Sequence, residues 1–242
     1  MAYRPKIGIT MRLEHATRRF YLGRDYSEAL AAAGATPVHI SLIPDEEYIV
    51  DAVAGLDGIL LPGSDSDVDP AHFSEEPHPK LGRVVPEKDA TDLLVLAEIE
   101  KRNLPLFAIC YGLQALNVSR GGTIIQDIDS QVPNAIKHQQ GTPLDRRSHS
   151  IKVKPGSPLE KGLAVGQDTT KVNSHHHQSI CKIGRDLEEI AWAPDGVIEA
   201  VCDTRIDRFV VGVQWHPELD WQVDELSRQL FRGFVEKAGD GR

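Results

Sequence analysis

Short apolar runs alternate with helical patterns through the first half of the chain, and this alternation limits the possible folds more than any other feature. "KIGIT" (6–10), "PVHI" (37–40), "DGILLPG" (57–63) and "LPLFAI" (104–109) read as strands, the last two as buried ones. Between them, "RDYSEALAAAG" (24–34), "DEEYIVDAVAG" (45–55) and "PEKDATDLLVLAEIEKRN" (86–103) read as helices. Gly34 stands where the first should stop, and a proline opens the third. Strands joined by helices run parallel, and a parallel sheet must be covered on both faces. The expectation is an α/β fold with a mostly parallel central sheet flanked by helices.

The second half has a different pattern. "HSIKVKP" (149–155), "TTKVNS" (169–174), "LEEIAWAP" (187–194), "VIEAVCD" (197–203) and "RFVVGVQWH" (208–216) are strand-like with short connections. The turn "APDG" (193–196) predicts a hairpin and hence extra antiparallel strands. A last helix is predicted over 223–238, and 127–147 reads as loop. No linker divides the halves, so residues 1–242 are expected to form a single domain.

The formal net charge of −9 argues against a general nucleic-acid or anionic-membrane surface. No apolar run approaches a membrane span, and "MAYRPKIGIT" lacks the apolar core of a signal peptide, so a cytoplasmic protein is expected. Three widely spaced cysteines fit neither a disulfide framework nor a zinc ribbon. Cys181 and Cys202 sit in apolar, strand-like contexts and are expected to pack.

Cys110 differs from the other two. In "FAICYGLQALN" (107–117) it falls where a strand becomes a helix, and ligands collect at the carboxyl ends of strands in open α/β sheets. Gly112 permits a sharp turn and a close approach of the helix. The positive end of the helix dipole favours the thiolate, and turn amides can bind an oxyanion. A nucleophilic cysteine needs a base. His216 ends the strand "FVVGVQW", and Glu218 lies two residues on, across Pro217. In an extended segment those two side chains share one side, so Glu218 is expected to orient the imidazole.

Taken in order, "ILLPGSDSDVDP", "FAICYGLQALN", "GGTIIQDI", "HSIKV", "VNSHHHQSI" and "GVQWHPE" resemble the class I glutamine amidotransferase-like hydrolases, and in particular the γ-glutamyl-γ-aminobutyrate hydrolase group of peptidase family C26. The likeness runs from "KIGIT" to the last helix. It implies a flavodoxin-like amidotransferase fold and a Cys110–His216–Glu218 triad. It also implies an oxyanion hole from the amides of Gly63 and Tyr111, with Gln114 near the glutamyl group. The "VNSHHHQ" segment lines the family's pocket, which points to Asn173, Ser174, His175 and His176, with His177 a further candidate. The implied activity is hydrolysis of a γ-glutamyl amide through a cysteine thioester, without metal or organic cofactor. The leaving amine would be γ-aminobutyrate from putrescine breakdown, another amine or an amino acid. The family often dimerises, so a homodimer is a further expectation. The alternatives are a glutaminase subunit delivering ammonia to a separate synthase, or a silent binding protein on the same scaffold. Tyr111 stands where this group often has Arg, and Ser64 and Asp65 stand where it often has glycine.

Three other features invite readings that their spacing rejects. Adjacent histidines in an extended segment face opposite sides, so "HHH" (175–177) is a poor chelator. "DSDVDPAHFSEE" (65–76) imitates a calcium loop but has Pro70 where the loop needs glycine, and is read as an acidic loop over the site. "GGTIIQD" (121–127) lacks the Gly-Lys-Ser/Thr ending of a phosphate loop.

Overall fold

A computed structural model describes residues 3–240. The chain begins with β1 (Lys6–Thr10), then a small hairpin of β2 (Arg12–Glu14) and β3 (Arg19–Tyr21). Helix α1 (Arg24–Ala32), β4 (Thr36–Ile40), α2 (Glu46–Val53), β5 (Gly58–Leu61), α3 (Pro86–Arg102) and β6 (Leu106–Ile109) continue the expected alternation. They lead into α4 (Tyr111–Ser119), β7 (Ile124–Ile125) and the single turn α5 (Ile128–Gln131). The second half contains β8 (His149–Val153), β9 (Thr169–Val172), β10 (Ser179–Ile180), β11 (Leu187–Trp192), β12 (Ile198–Asp203) and β13 (Val210–Val213). Helix α6 (Glu225–Gly239) closes the described chain.

One sheet carries the order β4-β1-β5-β6-β13-β12-β11-β8-β9. Every pairing from β4 to β13 is parallel, and every pairing from β13 to β9 is antiparallel. β13 thus joins the two regimes. Alternation along the strands sorts side chains onto opposite faces. Leu60, Phe107 and Ile109 face α1 and α6, where they meet Leu30, Phe231 and Phe234. Ile59, Leu61, Leu106 and Ala108 face the other way, against Val95, Ile99 and Leu113 of α3 and α4. Burying a side chain of this size contributes about 1.5–3 kcal/mol, so both layers are held mainly by apolar area.

The helix ends follow local chemistry. The Asp45 carboxylate accepts from the Tyr48 amide at 2.8 Å to start α2, and Asp224 does the same with Ser227 to start α6. α3 begins at Pro86 and stops at Asn103, whose φ of 54° ends the helix in the left-handed region. The Asp224 cap explains why α6 starts at Glu225 rather than at 223. Three further differences matter. The strand expected over 208–216 ends at Val213, freeing the next three residues for the site. The β2–β3 hairpin and α5 were not expected. Cys181 is exposed rather than packed. Cys202 is buried, and burial, reinforced by Glu188, pushes its thiol up to about 12. Among the described residues no helix is long and apolar enough to cross a membrane.

Candidate active site

Parallel pairing sets Ile109 beside Val213, so β6 and β13 finish at the same edge of the sheet. Cys110 follows Ile109 at φ 52° and ψ −108°, a backbone state costing a non-glycine residue about 1–3 kcal/mol. Its amide donates to Val213 O at 2.8 Å, which ties the elbow to β13. Immediately beyond, α4 lies tightly over β5. A Cβ built on Gly112 would come within 2.3 Å of Leu61 O, so only glycine fits. Neighbouring elements therefore hold the strained turn from both sides. Tyr111 opens α4, where the first amides have no acceptor within the helix.

Past β13 the chain turns back, and His216 reaches the same edge. Asn173 clamps its backbone: the His216 amide donates to Asn173 Oδ1 at 2.9 Å, and Asn173 Nδ2 donates to His216 O at 2.8 Å. His216 Nδ1 lies 2.6 Å from Glu218 Oε1. The expected partner is right, but the expected backbone is not. Residues Pro217–Leu219 form a 3₁₀ turn, and the turn rather than an extended strand brings the carboxylate to the ring. Burial opposes a charged imidazole here. The Glu218 carboxylate and the neighbouring Cys110 sulfur outweigh it, pushing His216 up to about 10. With Nδ1 occupied by Glu218, Nε2 is left for the cysteine.

Gly63 sits between these groups. A Cβ on it would meet His216 Cε1 at 2.7 Å and Cys110 Cβ at 3.4 Å. Its amide, expected in an oxyanion hole, donates to the Tyr26 hydroxyl at 3.1 Å, and its carbonyl accepts from Arg12 Nε at 2.7 Å. Arg12 and Tyr26 were missed by sequence reading. The carboxyl-edge rule, applied to β1 as well as β6, pointed to both. The Tyr111 ring is buried; its hydroxyl donates to Asp89 and Lys88 Nζ lies 4.9 Å from the ring centroid, so α3 anchors the side chain.

An open pocket of about 510 Å³ surrounds Cys110 and His216, with Arg12, Asp65, Gln114 and His175 in its wall. Gln114 is held by Gln178 O and Gln214 Oε1, each at 3.2 Å. The acidic loop does border the site: Ser64 to Asp67 line the pocket, and Asp67 accepts from the Gly82 amide at 2.6 Å. Asn173 and Ser174, expected in the pocket wall, are fully buried outside it. Asn173 fixes His216, and Ser174 Oγ donates to His138 O at 2.5 Å.

The three adjacent histidines face different ways. His175 packs edge-on against His216 with centroids 5.8 Å apart and bonds Leu144 O at 2.8 Å. Burial lowers its pKa. His177 meets Asp67 at 2.9 Å, which raises its own. His176, expected in the pocket wall, does border the pocket, and its Nε2 turns inward to His138, His149 and Glu199. The spacing argument against "HHH" as a chelator concerned only its own three members; these partners lie far away in sequence. Glu199 is fully buried among them.

The fold is that of a glutamine amidotransferase. A solved structure from Thermoplasma acidophilum, described as a putative GMP synthase component, superimposes with a TM-score of 0.69 over 100% of this chain and 98% of that one, at 17% identity. The chain belongs to the peptidase C26 family, whose sequence model matches residues 5–218, and is a hydrolase acting on C–N bonds. It is 34% identical to γ-glutamyl-γ-aminobutyrate hydrolase PuuD of Escherichia coli K12, over 96% of this chain and 92% of that protein. It is 30% identical to a putative glutamine amidotransferase-like protein, RP404, of Rickettsia prowazekii, over 97% and 98%. Protein NtpR of Enterococcus hirae is 34% identical over 75% of each chain.

Proposed function

We propose that the protein hydrolyses γ-glutamyl amides, with Cys110 as nucleophile, His216 as acid and base, and Glu218 as the group that orients and charges the imidazole. The observation that carries this reading is the strained Cys110 elbow beside a buried imidazole that Glu218 holds at 2.6 Å and whose pKa it raises. Family membership and the similarity to a γ-glutamyl-γ-aminobutyrate hydrolase support the choice of bond.

The Cys110 thiolate attacks the γ-carbonyl carbon, and the carbonyl π pair moves onto oxygen. The Tyr111 amide at the start of α4 donates to this oxyanion. The Gly63 amide joins it when the Tyr26 hydroxyl gives way. As the oxyanion collapses, the C–N bond breaks and His216 gives its Nε2 proton to the departing amine. The γ-glutamyl thioester remains. His216 then takes a proton from water, the hydroxide oxygen attacks the thioester carbon, and the C–S bond breaks to release glutamate and restore the thiolate–imidazolium pair. A pocket bearing both Arg12 and Asp65 suits the carboxylate and ammonium of a glutamyl group.

The test is glutamate release from γ-glutamyl-γ-aminobutyrate, other γ-glutamyl amines, γ-glutamyl amino acids and glutamine, with Cys110→Ala alongside. Release from one or a few conjugates, poor use of glutamine and loss in the variant are expected. Release from glutamine alone would move the reading to an ammonia-delivering subunit. Release that survives Cys110→Ala would overturn the mechanism.

A further inference from the structure

We infer that the protein carries a buried metal site of zinc type, formed by His138, His149, His176 and Glu199, which meets the catalytic pocket only at His176. These side chains come from four places: the loop after α5, the start of β8, the segment after β9, and β12. Their donor atoms all lie within 4.8 Å of one another, and none of the four residues is more than 7% exposed.

The tautomers are set from outside the cluster. His138 Nε2 bonds Asp195 Oδ2 at 2.9 Å, His176 Nδ1 bonds Gln178 O at 2.9 Å, and His149 Nδ1 bonds Ser150 O at 3.2 Å. A carboxylate and two carbonyls only accept, so each of these ring nitrogens carries the hydrogen. In the neutral rings, the lone pairs of His138 Nδ1, His149 Nε2 and His176 Nε2 then converge on Glu199. Among the described residues none of these three nitrogens has a hydrogen-bond partner, and neither does either Glu199 oxygen. Lone pairs facing a carboxylate in a dry interior repel it, and buried polar atoms are seldom left without partners.

Two arrangements relieve this: extra protons on the imidazoles, or a shared cation. Distances to the carboxylate favour the cation. The three nitrogens stand 3.4, 3.4 and 3.7 Å from Glu199 Oε1, beyond the 2.7–3.2 Å range of N–H···O bonds. A tetrahedral ion with bonds of about 2.0–2.1 Å holds its ligands roughly 3.3–3.4 Å apart. Packing favours the same answer. The His138 ring centroid is 4.9 Å from that of His149 and 4.8 Å from that of His176, too close for three imidazolium charges. A divalent ion balances Glu199 together with Asp195, and Asp195 behind His138 is the outer carboxylate that metal-binding histidines commonly use.

Three histidines and one carboxylate complete a tetrahedron, so the ion is structural and leaves no position for substrate. It braces the segment from Asn173, which clamps His216, to His177, which borders the pocket.

The experiment is elemental analysis of protein purified without a metal-affinity step, followed by dipicolinate treatment, thermal melting and titration with zinc chloride. About one zinc-type ion per chain is expected, with a lower Tm after chelation that zinc restores. Glu199→Gln and His176→Gln should abolish stoichiometric binding, whereas Cys110→Ala should keep it and so exclude the active-site thiol as ligand. Should the cluster variants fail to fold, anomalous scattering on either side of the zinc edge from wild-type crystals should place a peak among the four side chains. A chain that holds no ion and takes up none from zinc chloride, or one whose ion sits elsewhere or survives Glu199→Gln, would overturn the inference.

Discussion

At the β6–α4 junction a cysteine held at φ 52° faces an open pocket, beside an imidazole whose charge comes from its neighbours. In the antiparallel half, three histidines and a glutamate are buried with their inward atoms unpartnered. Both places concentrate titratable groups, and they do so by different means. The first stores strain in the backbone and leaves room for a substrate, as a reacting centre needs. The second has buried donors from four separate segments converging on one point, as a structural centre needs. Backbone strain beside a pocket therefore separates the two kinds of polar cluster better than the count of ionisable residues.

Variants that damage one region should leave the other intact. Cys110→Ala should lower glutamate release by at least about 10³-fold with metal content unchanged, read by coupled assay and elemental analysis. Glu218→Gln should lower kcat by roughly 10²–10⁴-fold. The same substitution should drop His216 from about 10 toward its ordinary value, visible in an NMR titration of the ring. A drop in kcat without that change in titration would assign Glu218 a different role.

The protonated ring also has a stability signature. Its folded pKa lies above the ordinary 6.5, so the stability it contributes is complete below about pH 6.5 and lost as pH rises through 10. Urea unfolding across that window should show the loss in wild type and much less of it in Glu218→Gln.

Two glycines compare packing around the elbow with packing elsewhere. Gly112→Ala places a methyl 2.3 Å from Leu61 O and should destabilise by about 1–3 kcal/mol, with activity falling as α4 shifts. Gly233, in α6, meets nothing within 4 Å, so Gly233→Ala should stabilise by roughly 0.5–1 kcal/mol. The smallest effect is expected for Tyr26→Phe, which frees the Gly63 amide and should change kcat/KM by about twofold or less. A larger loss would give the Tyr26 hydroxyl a direct part in turnover.

Much of the fold is legible in the sequence. The helix over 86–103 is, because a proline start and an asparagine stop frame an apolar face. So is the Cys110 elbow, because an apolar strand running into Cys-x-Gly leaves few other conformations. The antiparallel hairpin at 193–196 is legible from its turn residues. The β2–β3 hairpin is not, since "RLEHATRRFY" is polar and its pairing rests on backbone bonds. Asn173 and Ser174 were expected in the pocket because their segment lines it, but the wall is formed by His175 to His177, and the two residues before them are buried, with Asn173 spent on the His216 backbone.

Local pattern by itself determined the strand–helix order, the position of Cys110 at a strand end, and the pairing of His216 with Glu218, because each depends on residues within a few positions of one another. Only the tertiary structure decided that Arg12 and Tyr26 close around Gly63, that the His216 pKa is raised, and that His176 meets His138, His149 and Glu199. Those outcomes depend on distances between groups tens of residues apart and on the exclusion of water between them, and neither exists until the sheet has assembled.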